Sequence, residues 1–148
     1  MATTDYAGRY YWLRVVDLMT EEPLTVSPSE TVGHAENILS THSIRQLPVV
    51  EGKALVGILT DRDVRSYLGA EPPTDPETRE EMLKTPVRAL MTSDPITLSP
   101  DDNIEKALEI FINEKVGGIP VVDPAAGLIG IVTYIDLLRR FLYRIQED

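Results

Sequence analysis

At 148 residues the chain suits one ordinary domain or two small units sharing a core, and 43% apolar residues are enough for a packed interior. A formal net charge of −10 argues against duplex DNA or RNA as the main partner, because phosphate neutralisation needs a clustered basic surface. With no cysteine there is no disulfide framework or thiolate metal site, and charged residues interrupt every apolar run before the roughly 18 residues of a membrane helix.

The first residues, MATTDYAGRYYWLRVVDLM, lack a charged start followed by an apolar stretch, so no signal peptide is expected and a cytoplasmic protein is the default. Residues 1–17 are expected to hold a leading helix, drawn over 5–18, whose Tyr10, Tyr11, Trp12 and Val15 pack on the core or on a second chain. A first unit is expected over 18–68. It opens with an extended segment, Leu24 to Val26, which ends at Ser-Pro, since the residue before a proline is biased away from helix. Val32, Ala35, Ile38 and Leu39 then fall at helical spacing behind Ser29 as N-cap. LPVV reads as a buried strand, Glu51 to Lys53 as a turn and ALVGILT as a second strand, with a last helix starting at Asp61. Residues 69–86 read as a linker, with a short acidic helix over Pro76 to Lys84 that is either a solvated connector or a lid over a cleft.

Over 87–141 the pattern returns. Ile96 to Leu98 is extended, Asp101 or Asp102 caps a helix carrying Ile104, Ala107, Leu108 and Phe111, and IPVV and GLIGIVT flank a turn at Asp123 to Ala126. The last helix starts at Tyr134, and 142–148 is its tail. The two stretches align at an offset of 72 residues through the PVV segment and 73 beyond it, which places one inserted residue in the turn. Leu18/Leu90, Met19/Met91, Thr20/Thr92, Pro23/Pro95, Thr25/Thr97, Pro48/Pro120, Gly57/Gly130, Thr60/Thr133 and Asp63/Asp136 are among the identities. The fold class is therefore α/β (α+β), two tandem β-α-β-β-α repeats. Neither copy can bury its sheet alone, so they are expected to pack sheet to sheet with pseudo-twofold symmetry.

Three motifs, each present twice, carry a resemblance: MT-x-x-P-x-T-V/L-S-P, the L/I-PVV strand and the G-I-x-T-x-x-D ending. Together they resemble the CBS-domain family, and TDRDVR with VGGIPVVD is similar to the stand-alone bacterial pair related to the acetoin-utilisation accessory protein. The resemblance implies a regulatory pair with clefts between the copies. It implies an adenine nucleotide (AMP, ADP or ATP) or S-adenosylmethionine as ligand, no required cofactor, a homodimer, and an effector protein that receives the signal. On matching positions the Thr and Asp of Thr-x-x-Asp, which in the family contact phosphate and ribose, are Thr60 and Asp63, then Thr133 and Asp136. The segments leading into the strand, which line the adenine pocket, are Ile44, Arg45, Gln46, Leu47 and Pro48, then Val116, Gly117, Gly118, Ile119 and Pro120. Thr25 and Thr97 complete the implied set.

The residue chemistry supports two roles. A carboxylate near a helix start suits ribose hydroxyls, and free N–H groups there attract phosphate. The same Thr and Asp also fit a plain capping arrangement, with Thr at N-cap and an acid three residues later. Copy one adds Arg45, Arg62 and Arg65, while copy two has Gly117 and Gly118 opposite Arg45 and Gln46. Phosphate is therefore expected mainly at copy one. Catalysis is not expected: His34 and His42 lie on one helix away from any nucleophile motif, and no phosphate-loop or dinucleotide fingerprint occurs. The alternative to sensing is a ligand-free module that only dimerises.

Overall fold

The computed structural model describes residues 13–69 and 75–147, and the chain folds as two compact units. Leu24–Pro95 make one, while residues through Pro23 join the chain from Ile96 onward in the other. The division does not follow the repeat boundary, for a reason that lies in two short strands.

In the unit Leu24–Pro95, helix α2 (Val32–Thr41) buries Val32, Ala35 and Leu39. Strands β2 (Gln46–Glu51) and β3 (Ala54–Thr60) form an antiparallel hairpin whose two-residue loop places Gly52 at φ +61°, a region other residues enter at a cost. Val26 bridges Val49 in parallel on the outer side of β2. Its N–H donates to the Pro48 carbonyl at 3.2 Å, so the proline's missing N–H falls where the outer strand has barely begun. Leu47, Val49 and Leu59 point into the core with Val26 and Val64. Helix α3 (Asp61–Leu68) follows β3 directly, as expected. Helix α4 (Pro76–Leu83) is capped by Asp75, whose carboxyl the Thr78 hydroxyl holds below the ordinary value.

The other unit begins, among the described residues, with extended backbone at Arg14, which bridges Asn103. The expected leading helix is thus one turn at its described end, α1 (Val15–Leu18), and the positions of Tyr10, Tyr11 and Trp12 lie outside the described residues. Helix α5 (Ile104–Glu114), strands β5 (Gly118–Asp123) and β6 (Gly127–Thr133) and helix α6 (Tyr134–Glu147) repeat the first unit. The inserted residue falls in the turn, where Pro124 to Ala126 connect Asp123 to Gly127 at φ +81°. Both hairpins shift register at the same place, between Val49 and Val50 and between Val121 and Val122.

Each sheet takes its third strand from the segment that leads the other copy. β1 (Thr20–Glu21) pairs with β6, and β4 (Thr92–Ser93) pairs with β3. Glycine makes the approach possible. A Cβ on Gly130 would sit 2.5 Å from Met19 Sδ and 3.0 Å from the Thr20 carbonyl oxygen, and Gly57 has the same relation to Met91 and Thr92. The Met and Gly identities of the repeat are one packing device.

The helix caps differ from expectation. Ser29 and the Asp101/Asp102 pair are not N-caps: Thr31 caps α2 by accepting from His34 N at 3.1 Å, and Asn103 caps α5 by accepting from Lys106 N at 3.0 Å. The Ser-Pro steps close turns instead. Ser27 N donates to the Glu30 carboxylate at 2.9 Å and Ser99 N to Asp102 at 2.8 Å. Thr31→Ala and Asn103→Ala should therefore each lower stability by about 1 kcal/mol in urea melts. Ser29→Ala, off the helix, should be close to neutral.

The linker helix is mostly exposed, and it is tied to its own unit. Arg79 pairs with Glu36 of α2 at 3.0 Å, and a Cβ on Gly33 would meet the Leu83 carbonyl oxygen at 3.2 Å. α4 is laid against α2 of its own unit.

Candidate functional site

In the unit Leu24–Pro95 the expected site residues converge on one end of the sheet. Gln46, the first residue of β2, pairs with Thr60, the last of β3. The Arg45 carbonyl accepts from Asp61 N at 2.9 Å, which ties the segment leading into β2 to the start of α3. Because Val26 bridges Val49 in parallel, Leu24 and Thr25 run alongside β2 toward that same end. Thr60 N donates to Asp63 Oδ2 at 2.9 Å and Asp63 N donates to Thr60 Oγ1 at 3.1 Å. This reciprocal pair is a capping box, so the capping role is real.

Capping does not exhaust the side chains. It engages one carboxylate oxygen of Asp63, and Thr60 Oγ1 is used as an acceptor, so its proton is free to be offered. Both residues are half-buried, which raises the strength of any bond they make while leaving a path to them. Arg45 and Arg62 are exposed at the same helix start. Arg65 is also exposed but spends part of its charge on Asp61, at 3.4 Å. The first turn of α3 thus carries both acidic residues, Asp61 and Asp63, and nearby arginines.

The second unit builds the same end with different chemistry. Gly118 pairs with Thr133, and Tyr134 N donates to the Gly117 carbonyl at 3.4 Å. Thr133 N donates to Asp136 Oδ2 at 2.8 Å and Asp136 N to Thr133 Oγ1 at 3.3 Å. Here the Thr133 hydroxyl also donates to Asp136 Oδ2, at 3.1 Å. Its proton is already committed, and no arginine occupies the positions of Arg45 or Arg62.

The remaining expected residues divide by burial. Ile44 and Val116 are half-buried, Thr25 is half-buried and Thr97 exposed. Leu47, Pro48, Ile119 and Pro120 are buried, with Leu47 and Ile119 in the two cores, so these positions can offer backbone groups rather than side-chain contact. Sequence reasoning passed over Leu24 and Ile96. They occupy equivalent positions beside Thr25 and Thr97 and are exposed, apolar surface next to a polar site. No group of His, Asp or Glu among the described residues could hold a metal ion, and no helix among them is long and apolar enough to cross a membrane.

Comparison with known proteins matches this geometry to a family. The model for the CBS domain matches residues 15–70 and 87–143. A CBS domain-containing protein of Dictyostelium discoideum is 36% identical over 129 residues, which is 84% of this chain and 88% of that one. The inosine-5'-monophosphate dehydrogenase of Methanocaldococcus jannaschii is 38% identical over 128 residues, but the match spans 86% of this chain and only 23% of the enzyme. Among solved structures, AcuB of Vibrio cholerae superposes with a TM-score of 0.76 at 25% identity, covering 90% of this chain and 93% of that one. CBSX2 in complex with AMP gives 0.74 at 28% identity, with 88% and 96% covered. The CBS domain pair of protein MJ0100, in complex with 5'-methylthioadenosine and S-adenosyl-L-methionine, gives 0.71 at 27%, with 89% and 98% covered.

Proposed function

The chain belongs to the CBS-domain family, and from that premise we propose that it is a regulatory module that senses an adenine nucleotide or related adenosyl ligand and signals to a partner protein as a homodimer. The observation that carries this is the copy-one helix start, where the capping pair Thr60 and Asp63 stands at the same end of the sheet as Arg45 and Arg62. Asp63 would accept from a ribose hydroxyl with the oxygen not used in the cap. The Thr60 hydroxyl and the arginines would hold phosphate, and Leu24 with Ile44 would offer apolar contact to the purine. Structures similar to this one hold AMP in one case and 5'-methylthioadenosine with S-adenosyl-L-methionine in another, which supports an adenosyl group as the shared element. Output through another chain follows from differential affinity of the ligand for two arrangements of the assembly.

One observation favours the alternative, a ligand-free dimerisation module: both capping boxes are complete without any ligand. A thermal-shift titration with AMP, ADP, ATP, S-adenosylmethionine, NAD and cyclic dinucleotides separates the two. A sensor should gain about 2.7 kcal/mol at a hundredfold excess over Kd, a shift of several degrees that grows with concentration. No response to any of them leaves the interaction module standing.

A further inference from the structure

Helix α5 presents, on its outer side, the face that its counterpart α2 uses to seat the linker helix. In copy one, α4 rests on Gly33, where a Cβ would meet Leu83 Cβ at 3.1 Å, and on Glu36, which pairs with Arg79 at 3.0 Å. The matching positions of α5 hold Glu105 and Leu108, and Ile112 follows one turn later in place of Ser40. At 100° per residue the three share an arc of about 60°. Ile112 is 74% exposed and Leu108 is half-buried. The seat has turned from polar to apolar.

The chain reaches both seats by the same route. Val32 N donates to the Thr85 carbonyl at 2.8 Å, as Ile104 N donates to that of Leu13 at 3.1 Å. Val87 N donates to the Glu30 carbonyl at 2.8 Å, as Val15 N donates to that of Asp102 at 2.7 Å. Pro86 bridges Thr31 and Arg14 bridges Asn103, both antiparallel. Leu13 to Val15 therefore enter copy two as Thr85 to Val87 enter copy one. Residues 1–12 precede this entry as α4 precedes the other.

Their composition changes with the seat. Where Leu108 replaces Glu36, Ala7 replaces Arg79, so both halves of the ion pair are gone together. Where Glu105 replaces Gly33 and would hold an incoming backbone further out, Tyr11 replaces the shorter Leu83. Tyr6, Tyr10, Tyr11 and Trp12 are four of the chain's nine aromatic residues, and Arg9 is the one basic residue among 1–12. Aromatic side chains bring large apolar area to such a face, and Arg9 brings a charge opposite to the exposed Glu105 and Glu109. Reach is sufficient: from Ile104 to Ile112 is about 12 Å along the helix, and residues 1–12 span about 18 Å even when fully helical. We propose that residues 1–12 cover the Leu108–Ile112 face of α5 of their own chain, in the place that α4 holds on α2. The proposal is independent of the ligand and homodimer readings.

Thermal melts of the full chain test it as a double-mutant cycle. Ile112→Ser installs the residue that copy one has there, and isoleucine and serine have similar helix propensity, so an uncovered Ile112 would give no loss. It should lower Tm by about 3 °C in the wild-type background, and by less than about 1 °C in a chain that carries Tyr6→Ser, Tyr10→Ser and Tyr11→Ser together. The absence of native cysteine allows a second measurement. A nitroxide on Asn113→Cys, at an exposed residue beside the seat, should broaden the amide signals of residues 4–12 of the same chain. Nitroxide-bearing chains mixed with isotope-labelled chains that lack it should leave those signals sharp. No loss from Ile112→Ser, an equal loss in both backgrounds, or same-chain signals that stay sharp overturns the proposal. Broadening in the mixture alone gives the seat to a second copy's segment and overturns it too.

Discussion

Asp63→Ala is expected to weaken AMP binding by about ten- to a hundredfold, and Asp136→Ala by less than about threefold, in titration calorimetry. The two residues occupy equivalent places and make the same bond to the preceding threonine's N–H, at 2.9 and 2.8 Å. What differs is the surroundings. Asp63 stands at a helix start with Arg45 and Arg62, and the Thr60 hydroxyl proton is uncommitted; Asp136 has Gly117 and Ile135 at those positions, and takes the Thr133 proton for itself. Each alanine also removes a capping acceptor, at about 0.5–2 kcal/mol of stability, so the two variants should melt at similarly lowered temperatures. The binding loss is the part that should split them. Asp63→Asn refines the test, because an amide oxygen can still accept from Thr60 N while the charge is gone. It should keep most of the stability and still lose affinity. Equal losses at the two sites would contradict the assignment of phosphate to copy one.

Much of this architecture is legible in the residues alone. The repeat, the PVV hairpins, the start of α3 at Asp61 and the Thr-x-x-Asp caps follow from identities at turns and apolar strand cores, where local chemistry and tertiary need agree. The misses share a physical cause. β1 and β4 are two exposed polar residues each, with no periodicity to read, and their partners lie in the distant copy. Ser29 and Asp102 are good capping types, but Ser-Pro at the preceding positions closes a turn that uses Glu30 and Asp102 and pushes the caps to Thr31 and Asn103. Leu24 and Ile96 read from sequence only as the first residues of extended segments, with nothing local to mark them as exposed apolar surface. Which half of the broad apolar arc of α6 faces the core could not be told until Leu137 was placed there. The site was legible as residue types. Its asymmetry in hydroxyl use was not, since it depends on where one proton points.

Gly57→Ala is expected to destabilise the fold by roughly 2–3 kcal/mol, one methyl group acting as an overpacking change. Its Cβ would stand 2.6 Å from Met91 Sδ and 2.9 Å from the Thr92 carbonyl oxygen. The sulfur is the yielding contact, because a methionine side chain has rotamers to spare. The carbonyl is not: Thr92 is held in register by the pairs Ile58↔Thr92 and Gly57↔Ser93, so making room means lifting β4 from the sheet. Met91→Ala added to Gly57→Ala should therefore recover less than half of the loss, and hydrogen exchange should show β4 opening while α2 stays protected. Gly130→Ala should behave alike, with Met19 Sδ at 2.5 Å and the Thr20 oxygen at 3.0 Å. Gly52→Ala provides the contrast. Nothing lies within 4 Å of its Cβ, and its φ of +61° leaves only backbone strain of about 1 kcal/mol. Full rescue by Met91→Ala would mean that the sulfur, not the strand, sets the limit, and that the glycine serves side-chain packing rather than the joining of one copy's leading segment to the other copy's sheet.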